Sequence, residues 1–293
     1  MQNSVASNVF PPAGIVSVDQ ANPILAVQGI FKIPPEEFVD FLAKRVIYNA
    51  DDLIAIDKPI LIPYSGSKPG RLQIDRVLQD LKKKIAPDIQ RLHLVESLDR
   101  SASGVLLFAK TEERQKQLLE AIKEDRVQHR FRCIVKGVPK EERANITVPL
   151  AKFTQGKDIK WLPAENKHRG IVHYKTMYNV VNQDRMGNVS LLDVVVNRSN
   201  LHFIRTHLSN GIGCPLIGEV KYNGLAPNTP VKLGPLVLNK LGLHESQFRK
   251  VPMFIHLSET LVPLGNGSRF SVVKAPYSPV FTFAVKALGL FKK

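Results

Sequence analysis

The sequence predicts an α+β fold: a mixed, mostly antiparallel sheet with flanking helices. Three observations carry that expectation. Strand-like and helix-like segments are interleaved without strict β-α-β alternation. The strand-like runs are closed by turn residues, as at Lys136-Gly137 and at Asn188 and Asn197. No internal repeat is visible.

Taken in order, residues 1–33 are punctuated by Pro and Gly and read as an extended arm. Pro34-Pro35 opens a short helix with Phe38, Phe41 and Leu42 on one side. Residues 45–57 give two short strands parted by Ala50-Asp51, and residues 58–71, rich in Pro and Gly, give a loop. Ile74, Val77, Leu78 and Leu81 at i, i+3, i+4 and i+7 predict an amphipathic helix over 72–84. Val105 to Ala109 reads as a buried strand. Thr111 then caps a helix whose first turn is acidic and whose apolar side is Leu118, Leu119 and Ile122. Strands follow at 131–135 and 190–196. Leu201, Ile204 and Leu208 mark a helix ending at Asn210-Gly211, and residues 281–290 a buried closing helix. The expected division is an N-terminal arm and short helix at 1–44 and one larger domain at 45–293.

With 293 residues, 44% hydrophobic and 23% charged, the chain can bury a sizeable core. Its formal charge of +15 points to a polyanionic partner. The basic residues are spread through folded-looking segments, which favours a folded binding surface over a basic tail. Cys133 and Cys214 lie far apart without metal-ligand spacing, so neither a disulfide framework nor a zinc site is expected. No apolar run is long enough to cross a bilayer, and no membrane partner is expected. The first Lys or Arg is Lys32, so the start of the chain shows neither a signal-peptide nor a transit-peptide pattern. A P-loop fails at residues 66–71. A zinc-protease motif opens at His244-Glu245 but meets Phe248 where the second histidine belongs, and no G-x-S-x-G is found.

Residues 96–104, Glu-Ser-Leu-Asp-Arg-Ser-Ala-Ser-Gly, set two carboxylates, a guanidinium and three hydroxyls directly before the core strand. A carboxylate at the floor of a cleft, Asp99 here, needs a cation nearby or it neutralises. On this ground alone a surface Asp–Arg pair at the start of a strand is the better explanation of the stretch. The second informative segment, residues 201–224, has a helix bearing Arg205, then the turn Gly211 to Pro215, then Gly218 and Tyr222-Asn223-Gly224.

These two segments, with FRCIVKG between them, resemble the RluA-type pseudouridine synthases. Residues 96–104 are similar to that family's H-R-L-D-R-x-T-S-G, residues 129–137 to its K-x-Y-x-A-x-V-x-G, and residues 201–208 and 215–222 to its T-H-Q-I-R-x-H-L and G-x-P-I-x-G-D-x-x-Y-G. Asp57-Lys58-Pro59 looks like the early N-K-P turn, and residues 252–256 like the R-P-x-L-H strand. The resemblance covers roughly residues 45–290. It implies a pseudouridine synthase fold with a central basic cleft, and isomerisation of uridine to pseudouridine in structured RNA (rRNA, tRNA or mRNA). It implies no cofactor and no metal, and a monomer. Asp99 matches the essential aspartate and Arg205 its paired arginine, so a short Asp99–Arg205 ion pair is expected. Phe131 matches the aromatic that stacks on the target base, while Arg100, His202 and Ile204 fall at substrate-binding positions. By the same resemblance the location is the mitochondrial matrix, with cytoplasm or nucleus as alternatives.

The sequence departs from the family at five places. Ser97 stands for an arginine, Glu96 for a histidine, Phe131 for a tyrosine, Phe203 for a glutamine and Asn200 for an arginine. They define an alternative, a catalytically weak RNA-binding protein that acts in RNA or ribosome assembly.

Overall fold

In the computed structural model, which describes residues 22–156, 158–165, 170–226, 228–264 and 269–291, twelve strands are laid out in chain order. They are β1 Val46–Ala50, β2 Leu53–Lys58, β3 His93–Leu94, β4 Ser103–Ala109, β5 Gln128–Lys136 and β6 Arg143–Ile146. Then come β7 Leu150–Gln155, β8 Asp158–Pro163, β9 Thr176–Gln183, β10 Val189–Val196, β11 Ile255–Leu264 and β12 Arg269–Lys274. The helices are α1 Pro23–Ala26, α2 Pro35–Ala43, α3 Leu78–Ile85, α4 Glu112–Lys123, α5 Leu201–Thr206, α6 Pro235–Lys240 and α7 Pro279–Ala287. Ten strands make one sheet in the order β1-β2-β4-β11-β5-β10-β9-β6, with β12 on β11 and β3 on β4. β7 and β8 pair separately as a hairpin. Among the described strands β4 and β11 are parallel, and the other pairs are antiparallel. The mixed, mostly antiparallel α+β reading is therefore correct.

Local chemistry explains most element boundaries. Asp51 and Asp52 both take left-handed backbone, which suits a tight two-residue hairpin between β1 and β2. Thr111 accepts the Arg114 amide and Asn200 accepts the His202 amide, so each caps the helix expected after it. Two expectations need correction. The helix read over 72–84 starts only at Leu78, after a 3-10 turn at Asp75–Val77. The amides of Ile74 and Asp75 donate to Pro63 and Tyr64 carbonyls, so the loop 58–71 holds that backbone out of the helix. The described part of the arm is not extended either: α1 is followed by a 3-10 turn at Val27–Lys32, and Ile24 is fully buried. The rest of the arm lies outside the described residues. No helix among those residues is long and apolar enough to cross a membrane.

Alternation along β5 divides the core. Phe131 and Cys133 join the cluster that packs under α2 and α4, whereas Ile134 joins a second cluster with α6 and α7. Arg130 and Arg132, between the inward residues, face outward toward Asp193 of β10. The parallel contact of β4 with β11 leaves no room at Gly104. Its φ is +112°, and a Cβ there would meet the Leu257 carbonyl oxygen at 2.1 Å. Gly218, at φ +83°, lies equally close to the Pro252 carbonyl. Both motif glycines are thus required by backbone approach. His256 fastens the same junction. Its Nε2 faces the Ala275 carbonyl and must carry the proton, so Nδ1 accepts from the Ser103 hydroxyl. Burial pushes this imidazole down to about 4.

Candidate active site

β4 starts inside the core, so the residues just before it form a short loop anchored at its C-terminal end. In that loop Asp99 is half-buried between exposed Ser97 and Arg100. Its Oδ1 accepts two hydrogen bonds from Ser101, from the amide at 2.7 Å and the hydroxyl at 2.5 Å. Among the described residues Oδ2 has no hydrogen-bond partner. Burial alone would raise the pKa of this carboxyl. The two Ser101 bonds, with the charges of Arg205 and His202 nearby, outweigh it and hold Asp99 below the usual carboxylate range.

Arg205 is not the direct partner of Asp99. Its guanidinium forms a bidentate pair with Glu219, Nε to Oε2 at 2.8 Å and Nη2 to Oε1 at 2.7 Å. Glu219 is wholly buried and also accepts the amides of Lys221 and Tyr222. The guanidinium lies over the Tyr222 ring at 5.2 Å. No ion pair within 4.0 Å joins it to Asp99 among the described residues, so the short contact expected from sequence is corrected. Arg205 acts on Asp99 through space, from a position fixed by Glu219. The Glu219 side chain reaches the fork of the guanidinium and fills the place the sequence reading gave to Asp99.

His202 belongs to the same group of residues. Its Nδ1 is 2.9 Å from the Tyr222 hydroxyl, which in turn accepts the Trp161 amide at 3.4 Å. Burial and the nearby cations Arg205 and Lys221 lower its pKa, which favours the neutral imidazole. Phe131 and Ile204 differ from expectation. Both are fully buried in the first core cluster, and neither offers a face to a substrate in this arrangement. The cause is periodicity: Phe131 alternates inward between two outward arginines, and Ile204 lies on the core side of a one-and-a-half-turn helix. Glu96, which stands where the family has a histidine, meets His129 of β5 at 2.8 Å. Exposed Ser97 borders a cavity of about 20 Å³ behind the loop, lined also by Leu98, Ser199 and Thr260.

One cation of the site was read from sequence only as part of a turn. Lys58, at the end of β2, is completely buried, and its Nζ donates to the carbonyls of Pro59 at 3.0 Å and Ile62 at 2.7 Å. Burial lowers its pKa to about 7, against the opposing pull of Asp99 and then Asp57. Asp57 is raised to about 6 by burial, despite its pairing with Arg45. A lysine beside a proline, at the end of an apolar strand and next to a carboxylate, is the signal that marks such a group.

A half-buried, ionised carboxylate with one bound and one open oxygen, and with the Arg205 guanidinium acting on it through space, can act as a nucleophile or a base on a neutral substrate. Comparison with known proteins gives the same direction. Pseudouridylate synthase RPUSD4, mitochondrial, of Mus musculus is 24% identical over 310 residues, spanning 99% of this chain and 81% of the relative. An uncharacterized RNA pseudouridine synthase of Zymomonas mobilis is 27% identical, over 72% of this chain and 92% of the relative. The solved structure of human RNA Pseudouridylate Synthase Domain Containing 4 has the same fold, with a TM-score of 0.75 at 22% identity over 87% of this chain and 97% of that one. The sequence model for RNA pseudouridylate synthase matches residues 52–210, a span that runs from β2 through the Asp99 loop to the helix bearing Arg205, and the chain belongs to that family.

Proposed function

We propose that Asp99 is the catalytic carboxylate with which this RNA pseudouridine synthase isomerises uridine in structured RNA. The observation that carries the reading is the state of that side chain: Oδ1 is bound by Ser101, Oδ2 is open, and the carboxyl is held ionised. In the reaction the uridine N1–C1′ bond breaks, the uracil turns, and a C5–C1′ bond forms while the C5 proton leaves and N1 gains one. Asp99 begins it by attack at C1′ or by removal of a sugar proton. Arg205, fixed on Glu219, supports the charge of Asp99 through space, without a direct ion pair among the described residues. His202, adjoining Arg205, and exposed Arg100 contact the RNA around the target nucleotide.

Under this reading Phe131 and Ile204 shape the floor of the site from beneath instead of touching the base. Residues 45–293 form the catalytic unit, to which residues 1–44 are an addition. The protein acts as a monomer. It works in the mitochondrion, in keeping with the word mitochondrial in the names of its RPUSD4 relatives, and within it in the matrix.

The test is Asp99→Asn, which keeps the shape and removes the charge. Pseudouridine formation on RNA from cells lacking the gene, mapped at base resolution, should fall by at least about a thousandfold, while RNA affinity stays within about twofold. Equal activity of the two proteins would overturn the assignment. RNA binding without any pseudouridine, even from the wild type, would favour the assembly-factor alternative.

A further inference from the structure

The N-terminal segment brings a phenylalanine against the residue that follows Asp99. The Arg100 guanidinium lies over the Phe31 ring at 5.4 Å, and its Nε donates to the Leu61 carbonyl at 3.1 Å. Leu61 returns its own amide to the Arg100 carbonyl at 2.8 Å. To make both bonds Leu61 adopts φ +70°, a conformation a leucine rarely takes. Arg100 is exposed, makes no ion pair with Asp99, and has no hydrogen-bond partner on Nη1 or Nη2 among the described residues. One edge and one face of the guanidinium are therefore fixed, and its outer amino groups are open, on the residue that follows Asp99 in the chain.

Phe31 is itself held in place. At the start of its segment Asn22 donates from Nδ2 to the carbonyls of Leu241 and Gly242, at 2.8 and 3.0 Å. Ile24 is buried in the core cluster under α7, while Ile30 and Ile33 pack on the other cluster. The segment thus spans both clusters and delivers the ring to one point of the catalytic loop.

We infer that Phe31 is a positioning residue, which holds the Arg100 guanidinium ready to accept a phosphate of the RNA backbone beside the target uridine. The inference rests on the proposed role of the Asp99 loop. A planar guanidinium suits a phosphate because two parallel N–H groups can meet two oxygens, and a ring beneath it limits its rotamers without using those donors.

The test is Phe31→Leu, which keeps an apolar side chain and removes the aromatic face. RNA affinity is measured in the Asp99→Asn background, so that binding does not depend on turnover, and KM and kcat are measured in the active protein. The expected result is a rise of about two- to fivefold in Kd and KM, with the loss falling on KM rather than kcat. Arg100→Gln should weaken binding at least as much and lower the salt slope of binding by about one phosphate. In the Arg100→Gln protein, Phe31→Leu should then add nothing, whereas Phe31→Tyr in the protein that keeps Arg100 should leave affinity at the wild-type level. Unchanged affinity in Phe31→Leu, or independent effects of the two substitutions, would overturn the inference. Should Phe31→Leu lower the melting temperature, the Tyr variant and the coupling to Arg100 still decide. Coupled effects on binding in a protein that makes no pseudouridine would retain the positioning role and remove the catalytic reading.

Discussion

At the residue scale the site is a balance between burial and charge. Asp99 is legible in the sequence only through the likeness of residues 96–104 and 201–222 to the family's motifs, because a carboxylate before a core strand is by itself more often a surface ion pair. Its electrostatic surroundings are not legible, because they come from three separate parts of the chain. Lys58 arrives from the end of β2, Arg205 from α5, and Glu219, which fixes Arg205, from the turn after it. Lys58 bears the heaviest desolvation of the three and keeps its place by bonding two carbonyls of the turn that also holds Arg100. Lys58→Met keeps the stem and deletes both bonds and the charge. It should lower turnover by more than tenfold and stability by about 2 kcal/mol, from two buried carbonyls left without donors. Assays of kcat and urea denaturation check the two effects separately. A variant that loses stability alone would make Lys58 purely structural. Glu219→Gln should do more harm, because it leaves the buried Arg205 guanidinium without its counter-charge. The expected loss is about 3–5 kcal/mol in denaturant unfolding.

At the element scale, strand alternation by itself is enough to correct the expectation for Phe131. In Arg130-Phe131-Arg132 the period of two points the arginines one way and the ring the other, so a ring on the core side follows directly. The start of α3 is not accessible in this way. It depends on where the amides of Ile74 and Asp75 find acceptors, which is tertiary information. The β4–β11 junction is the element on which the Asp99 loop stands. Gly104→Ala would force a methyl group into the Leu257 carbonyl, so it should cost more than about 3 kcal/mol or abolish soluble expression. The same junction should respond to pH through His256. Its folded pKa of about 4 lies below the usual 6.5, so the unfolded chain binds the extra proton between these values. Stability is therefore full above about pH 6.5 and is lost as pH falls toward 4, by about 2 kcal/mol at pH 5. Chemical denaturation at pH 7.5 and pH 5 measures the loss. His256→Gln, which does not titrate, should show a smaller drop between the two.

At the scale of the whole molecule, order along the chain carries more information than any single motif. The aspartate loop, the strand ending in Lys136-Gly137, the arginine helix and the strand at 252–256 occur in the order in which the family carries its motifs. The fold is legible for that reason even where individual motif residues have changed. The packing of residues 22–33 across both core clusters is not, since the segment has Pro and Gly punctuation and no regular period. Net charge is a property of the same scale, and it leads to a measurable consequence. A chain at +15 that grips RNA through its backbone must release counterions on binding, and each phosphate neutralised adds about 0.7–0.9 to the slope of log K against log salt. With at least five such contacts the slope magnitude should reach about 4, so raising monovalent salt from about 50 to 200 mM should weaken binding by about two orders of magnitude. Asp99→Asn should preserve that slope, because its charge is spent on the reaction and not on the backbone. A slope near one, measured on a structured RNA with either protein, would mean that the charge serves solubility and that shape and base contacts supply the affinity.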